Sequence, residues 1–150
     1  MKTFSFSLIA SLGLLFFSSC DKQDEPDDEP TYTEAELSLH AAGTKYWLLH
    51  QEFFDGKDIT SSYKECEIDN VHIFDTYGNY NIDAGVTKCP QNPEENLVRG
   101  YYKLDEEKQT LEIGYADTVV NATLVKLSTD ELSWETEVEG IKVSKTYKPK

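Results

Sequence analysis

From Lys45 onward the chain is a succession of short runs rich in Val, Ile, Thr, Tyr, Phe and Trp, cut by Gly, Asp, Asn and Lys. No segment after Gly43 keeps a helical period, and punctuation of this kind marks a β meander. Eight strands are expected, over residues 45–54, 71–75, 79–83, 98–104, 110–115, 118–127, 131–137 and 142–147. Because successive side chains on a strand point to opposite faces, Trp47 shares a face with Leu49 and Tyr80 with Ile82. The same alternation groups Tyr102 with Leu104, Leu111 with Ile113, Val120 with Ala122 and Leu124, Leu132 with Trp134, and Val143 with Tyr147. One apolar face backed by a mostly polar one suits an antiparallel sheet. With no long crossover, the expected fold is all-β: an eight-stranded antiparallel up-and-down barrel over residues 44–150, closed because closure removes unpaired edges. An open sandwich is the alternative.

One hairpin can be set in register. Val71 and Ile73 argue for one inward face of the second strand, His72 and Phe74 for the other. A three-residue loop, Thr76-Tyr77-Gly78, with Gly78 left-handed, pairs Phe74 with Tyr80 and His72 with Ile82, and is preferred because it groups the bulkier side chains.

The segment ahead of the barrel reads differently. Lys2 precedes an apolar run from Phe4 to Phe17, too short to span a bilayer of roughly 30 Å as a helix and suited to the core of a signal peptide, residues 1–19. Phe17-Ser18-Ser19-Cys20 resembles the lipobox of bacterial lipoproteins, with Phe where Leu is commonest. That resemblance implies that Cys20 is acylated and becomes the N-terminus of an outer-membrane lipoprotein, held stably because two or three acyl chains anchor where one does not. Residues 20–43 then form a linker whose first part is acidic: Asp21, Asp24, Glu25, Asp27, Asp28, Glu29, Glu34 and Glu36, with Lys22 the lone counter-charge and Pro26 and Pro30 extending it. It is either a plain spacer or an export address, since acidic residues soon after the lipidated cysteine resemble the tags of surface lipoproteins. A calcium loop is not supported, for the run lacks the spacing and the glycine turn. At its end, residues 34–42 are expected to form a short helix with Thr33 as N-cap and Glu36 completing a capping box.

With Cys20 assigned to lipid, Cys66 and Cys89 remain, an even number in an exported chain, and a disulfide is the default. They flank the Thr76-Tyr77-Gly78 turn symmetrically, so folding about it brings them together at the open end of the hairpin. Two separate buried thiols, or a redox pair although no Cys-x-x-Cys motif is present, are the alternatives.

The cysteine and strand landmarks together resemble a known family. Cys66 through Phe74, Gly78-Asn79-Tyr80, Cys89, Gly100-Tyr101-Tyr102-Lys103-Leu104, Leu111-Glu112-Ile113 and Leu124 through Leu132 look like the bacterial lipocalin-like lipoproteins. The resemblance covers residues 43–147 and implies an eight-stranded barrel. Tyr102 stands where that family usually has Trp, and His72 where an apolar residue is common, which points to a more polar interior.

Formal charge is −14, from 28 acidic and 14 basic residues, and this argues against a nucleic-acid partner, whose phosphates are neutralised by Lys and Arg. Aromatics at 12% argue against disorder of the whole chain. No Gly-x-Ser-x-Gly elbow, His-Glu-x-x-His pair or phosphate-cradling glycine loop occurs, and His40, His50 and His72 share no ligand spacing. No catalytic residue, metal or cofactor is therefore expected. Asn121-Ala122-Thr123 fits a glycosylation sequon that is incidental in a bacterial lipoprotein. Binding is the expected trade. Eight strands enclose either a filled core or room for one small ligand. The candidate ligand residues are the inward Trp47, Phe74, Tyr80, Tyr102, Trp134 and Tyr147 with His72, all of which would equally serve as plain core. Phe54, Tyr101 and Tyr115 fall near the rims or on the outer face, where an aromatic patch would stack on a sugar or dock a protein. Two functions result: a cup for a small apolar or aromatic-compatible ligand, or a filled accessory or inhibitor barrel that docks an envelope protein. A connected void above roughly 300 Å³ favours the first.

Overall fold

The computed structural model describes residues 30–89 and 97–150. The expected signal peptide, Cys20 and most of the acidic run lie outside the described residues.

Helix α1 (Glu34–His40) opens the structure, and its N-terminus is capped reciprocally. The Glu36 amide donates to Thr33 Oγ1 at 3.1 Å, and the Thr33 amide donates to Glu36 Oε2 at 2.9 Å, so two otherwise unpaired donors of the first turn are satisfied. The strands follow: β1 (Thr44–Phe54), a two-residue β2 (Lys57–Asp58), β3 (Val71–Asp75), β4 (Asn79–Asp83), β5 (Leu97–Asp105), β6 (Thr110–Tyr115), β7 (Thr118–Ser128), β8 (Glu131–Val138) and β9 (Ile141–Pro149). Apart from β2, each pairs antiparallel with its chain neighbour, and β9 returns to pair with β1, closing an eight-stranded barrel. The expected barrel is therefore the observed one, and the open sandwich is excluded.

The β3–β4 hairpin has the expected register, Phe74 opposite Tyr80 and His72 opposite Ile82. Gly78 turns it at φ +79°, a conformation that L side chains avoid. A second glycine makes room for a ring: Tyr101, the cross-strand partner of Gly114, lies across it on the outer face and occupies the space a Cβ would need.

Strand direction gives the barrel two unlike ends. At one end lie α1, the β3–β4 turn and the β7–β8 turn. Leu39 and Trp47 are fully buried here, and Trp47 Nε1 donates to the Leu39 carbonyl at 3.1 Å. Lys45 Nζ donates to the carbonyls of Ser38 and Thr129, at 2.6 and 2.8 Å, so one ammonium clasps the helix to the far turn. The helix, which the sequence reading counts with the linker, thus forms the floor of the barrel, and the compact unit runs Thr31–Lys150.

The other end is open and its wall is partly borrowed. β3 pairs with β1 only from Thr44 to Leu48. Beyond that point the excursion between them, β2 with the single-turn η1 (Thr60–Ser62) and α2 (Glu65–Ile68), leans on β1 instead. The Glu52 amide donates to Thr60 Oγ1 at 2.8 Å and the Ile59 amide to the Glu52 carbonyl at 2.9 Å. The Cys66–Cys89 disulfide, with its Cα atoms 5.1 Å apart, ties this strap to the chain beyond β4. Asp69 adds a second tie, Oδ2 accepting from the amides of Val86 and Thr87 at 3.0 and 2.8 Å.

Candidate functional site: a cup at the open end

A cavity of about 350 Å³ occupies the open half of the barrel. Tyr80, Tyr147, His72 and Trp134 line its lower part; Ile82, Ile113, Val120 and Tyr115 form an apolar wall. Phe54, Thr118, Thr136, Val138 and Val143 stand towards the rim, and Glu52 and Lys145 face inward from β1 and β9.

The aromatic floor holds itself together by one edge contact and one stack. His72 meets Tyr147 with ring centroids 4.8 Å apart at 70°, and Trp134 stacks on Tyr147 at 6.1 Å. Such pairs add about 0.5–1.5 kcal/mol beyond area burial. His72 Nδ1 and Tyr80 Oη are 2.6 Å apart. Burial pushes the His72 pKa down to about 3, helped by the Lys145 charge. The ring is therefore neutral at physiological pH and accepts from the Tyr80 hydroxyl when its own proton sits on Nε2. Burial likewise pushes the Tyr80 and Tyr147 hydroxyls well above the usual phenol value. Trp134 Nε1 is buried with no partner among the described residues.

Glu52 and Lys145 are direct cross-strand partners, and Lys145 Nζ lies 3.0 Å from Glu52 Oε2. The same oxygen accepts from Tyr63 Oη at 2.5 Å, so the strap reaches into the barrel through one phenol. Burial, then the bond to Glu52, pushes the Tyr63 pKa above its ordinary value. On the other side, Lys145 opposes Trp134 across β8 and β9, its ammonium 5.8 Å from that ring centroid.

Of the seven candidate ligand residues, His72, Tyr80, Trp134 and Tyr147 meet in the cup. Trp47, Phe74 and Tyr102 do not line it. Trp47 and Phe74 are buried at the closed end, and the Tyr102 hydroxyl is spent on the Asp75 carbonyl at 2.7 Å. Phe54 and Tyr115 belong to the rim and wall of the cup, while Tyr101 is on the outer face.

Sequence reasoning passed over Glu52 and Lys145. Lys145 was legible, since it stands two residues from both Val143 and Tyr147 and so shares their face. Glu52 was not: strict alternation from Trp47 and Leu49 would turn Gln51 and Phe53 inward, and a register shift between Leu49 and Gln51 reverses the face. Among the described residues no cluster of His, Cys, Asp and Glu is placed to hold a metal, and no helix is long and apolar enough to cross a membrane. No protein-family model matches the chain, and no curated protein matches its sequence.

Proposed function

We propose that this protein is a non-enzymatic binding lipoprotein of the bacterial lipocalin-like kind, which holds one small, largely apolar molecule in the open half of its barrel. The cavity carries this reading: at about 350 Å³ it lies above the roughly 300 Å³ at which small-molecule sites begin, and aromatic and aliphatic side chains make most of its wall. A filled barrel docking an envelope protein would need that space occupied by side chains.

The neutral fluorophore N-phenyl-1-naphthylamine tests the reading. The full chain carrying Cys20→Ala, which keeps acyl chains out of the assay, is expected to bind it saturably at one site, with enhanced emission. Val120→Trp places a large ring into the cup from β7 and is expected to weaken that binding at least about tenfold. Binding that is absent, or indifferent to Val120→Trp, would remove the cup from consideration.

The anchor rests on the residues around Cys20. Expressed in a bacterial host and fed radiolabelled palmitate, the native chain is expected to take up label and sediment with membranes, and Cys20→Ala to take up none. A native chain that takes up no label would overturn the lipoprotein reading.

A further inference from the structure

We infer that Glu52 sets the charge selectivity of the cup, neutralising Lys145 so that the site accepts uncharged aromatic molecules and turns away anions of the same shape. The inference rests on the binding reading above and names the class of ligand.

The cup holds one cation and one anion. Among the described residues in its lining only Glu52 and Lys145 are charged, and they face each other at 3.0 Å on adjacent strands. Glu52 is almost fully buried, its side chain 7% exposed, whereas Lys145 keeps 26%. Without Glu52 the lysine would be an ordinary handle for a carboxylate or sulfonate, set beside a Trp134 face that would stack on the attached ring. With Glu52 in place, an entering anion meets a second negative charge beside the cation it seeks, and the site is left with one uncompensated charge in partly desolvated surroundings. The rest of the molecule gives the anion no help. Beyond Glu36 the chain carries 20 acidic and 12 basic residues, a balance of −8.

An uncharged ligand meets none of these penalties. Its rings lie against Ile82, Ile113, Val120 and Tyr115, and a hydrogen-bonding group on its opposite edge faces the Glu52–Lys145 pair. Tyr63 makes the arrangement firm. By donating to the same Glu52 oxygen it fixes the direction of the carboxylate.

The test compares two fluorophores that share one skeleton: uncharged N-phenyl-1-naphthylamine and its sulfonated relative, 8-anilino-1-naphthalenesulfonate. In the unlipidated full chain the uncharged probe is expected to bind at least about tenfold more tightly, as one unpaired unit charge in a partly wet site implies. Glu52→Gln keeps the shape and removes the negative charge; the ratio of affinities is expected to move toward the sulfonate by about tenfold or more. Lys145→Met leaves Glu52 alone and is expected to move the ratio the other way. Equal affinity of the native cup for both probes, or a ratio that Glu52→Gln does not move in a folded protein, overturns the inference and leaves the cup standing. Failure of both probes to bind the native chain removes the cup and the inference together. Should Glu52→Gln not fold, the native ratio and Lys145→Met decide.

Discussion

Replacing Cys66 and Cys89 together by alanine is expected to lower the unfolding free energy by about 3.5 kcal/mol, the chain-entropy value for a loop of this length. In a unit of this size the midpoint of thermal unfolding should fall by roughly 10–20 °C. The reason is local as well as statistical. The bridge joins the strap to the chain after β4, and the strap completes the barrel wall where β1 has parted from β3. Its other ties include the β1–β2 pairing and single hydrogen bonds, those that Asp69 and Thr60 accept from backbone amides and the one that Tyr63 donates to Glu52, each worth about 1 kcal/mol net. Thermal melts of the oxidised protein and the double variant, followed by circular dichroism, decide the matter. A shift of only a few degrees would mean that the strap is held without the bridge.

The second large effect belongs to the closed end. Trp47→Ala should cost about 3–5 kcal/mol, since Trp47 is fully buried and the indole space cannot collapse against a barrel wall fixed by its ladder. That is a large part of the 5–15 kcal/mol typical of a small domain. Trp47→Phe separates the contributions: it keeps most of the apolar volume but leaves the Leu39 carbonyl without its donor, for about 1–2 kcal/mol. Urea unfolding of the three proteins gives both numbers. If Trp47→Ala cost no more than Trp47→Phe, packing would not be what joins α1 to the barrel.

The parts legible in the sequence are those that repeat. Eight strands announce themselves by alternation, and the face of Leu111, Ile113, Trp134 or Tyr147 follows from counting in twos. Local turn chemistry is equally readable, as Gly78 and the Thr33–Glu36 capping box show. Depth along the barrel is not. Trp47, Phe74 and Trp134 share the inward face, yet only Trp134 reaches the cup, because alternation says which side a residue takes and nothing about which end. Features made by exceptions are hidden too. The shift after Leu49 that turns Glu52 and Phe54 inward leaves no composition signal, and the strap gains its form from contacts with β1 rather than from its own propensities. The charge pair that shapes the cup is thus the part least open to prediction, half of it concealed by that one shift and half overlooked because a lysine among apolar neighbours reads as surface.

The floor of the cup has a consequence for how such a ligand would be let go. His72 stays neutral down to about pH 3, and Tyr80 and Tyr147 keep their protons well into the alkaline range. Over the ordinary physiological range of pH these three groups neither gain nor lose a proton. They cannot act as an acid-triggered release device of the sort that titrating histidines provide. A molecule resting on them would not be let go through a change in their protonation, which leaves the Glu52–Lys145 pair as the charged part of the cup.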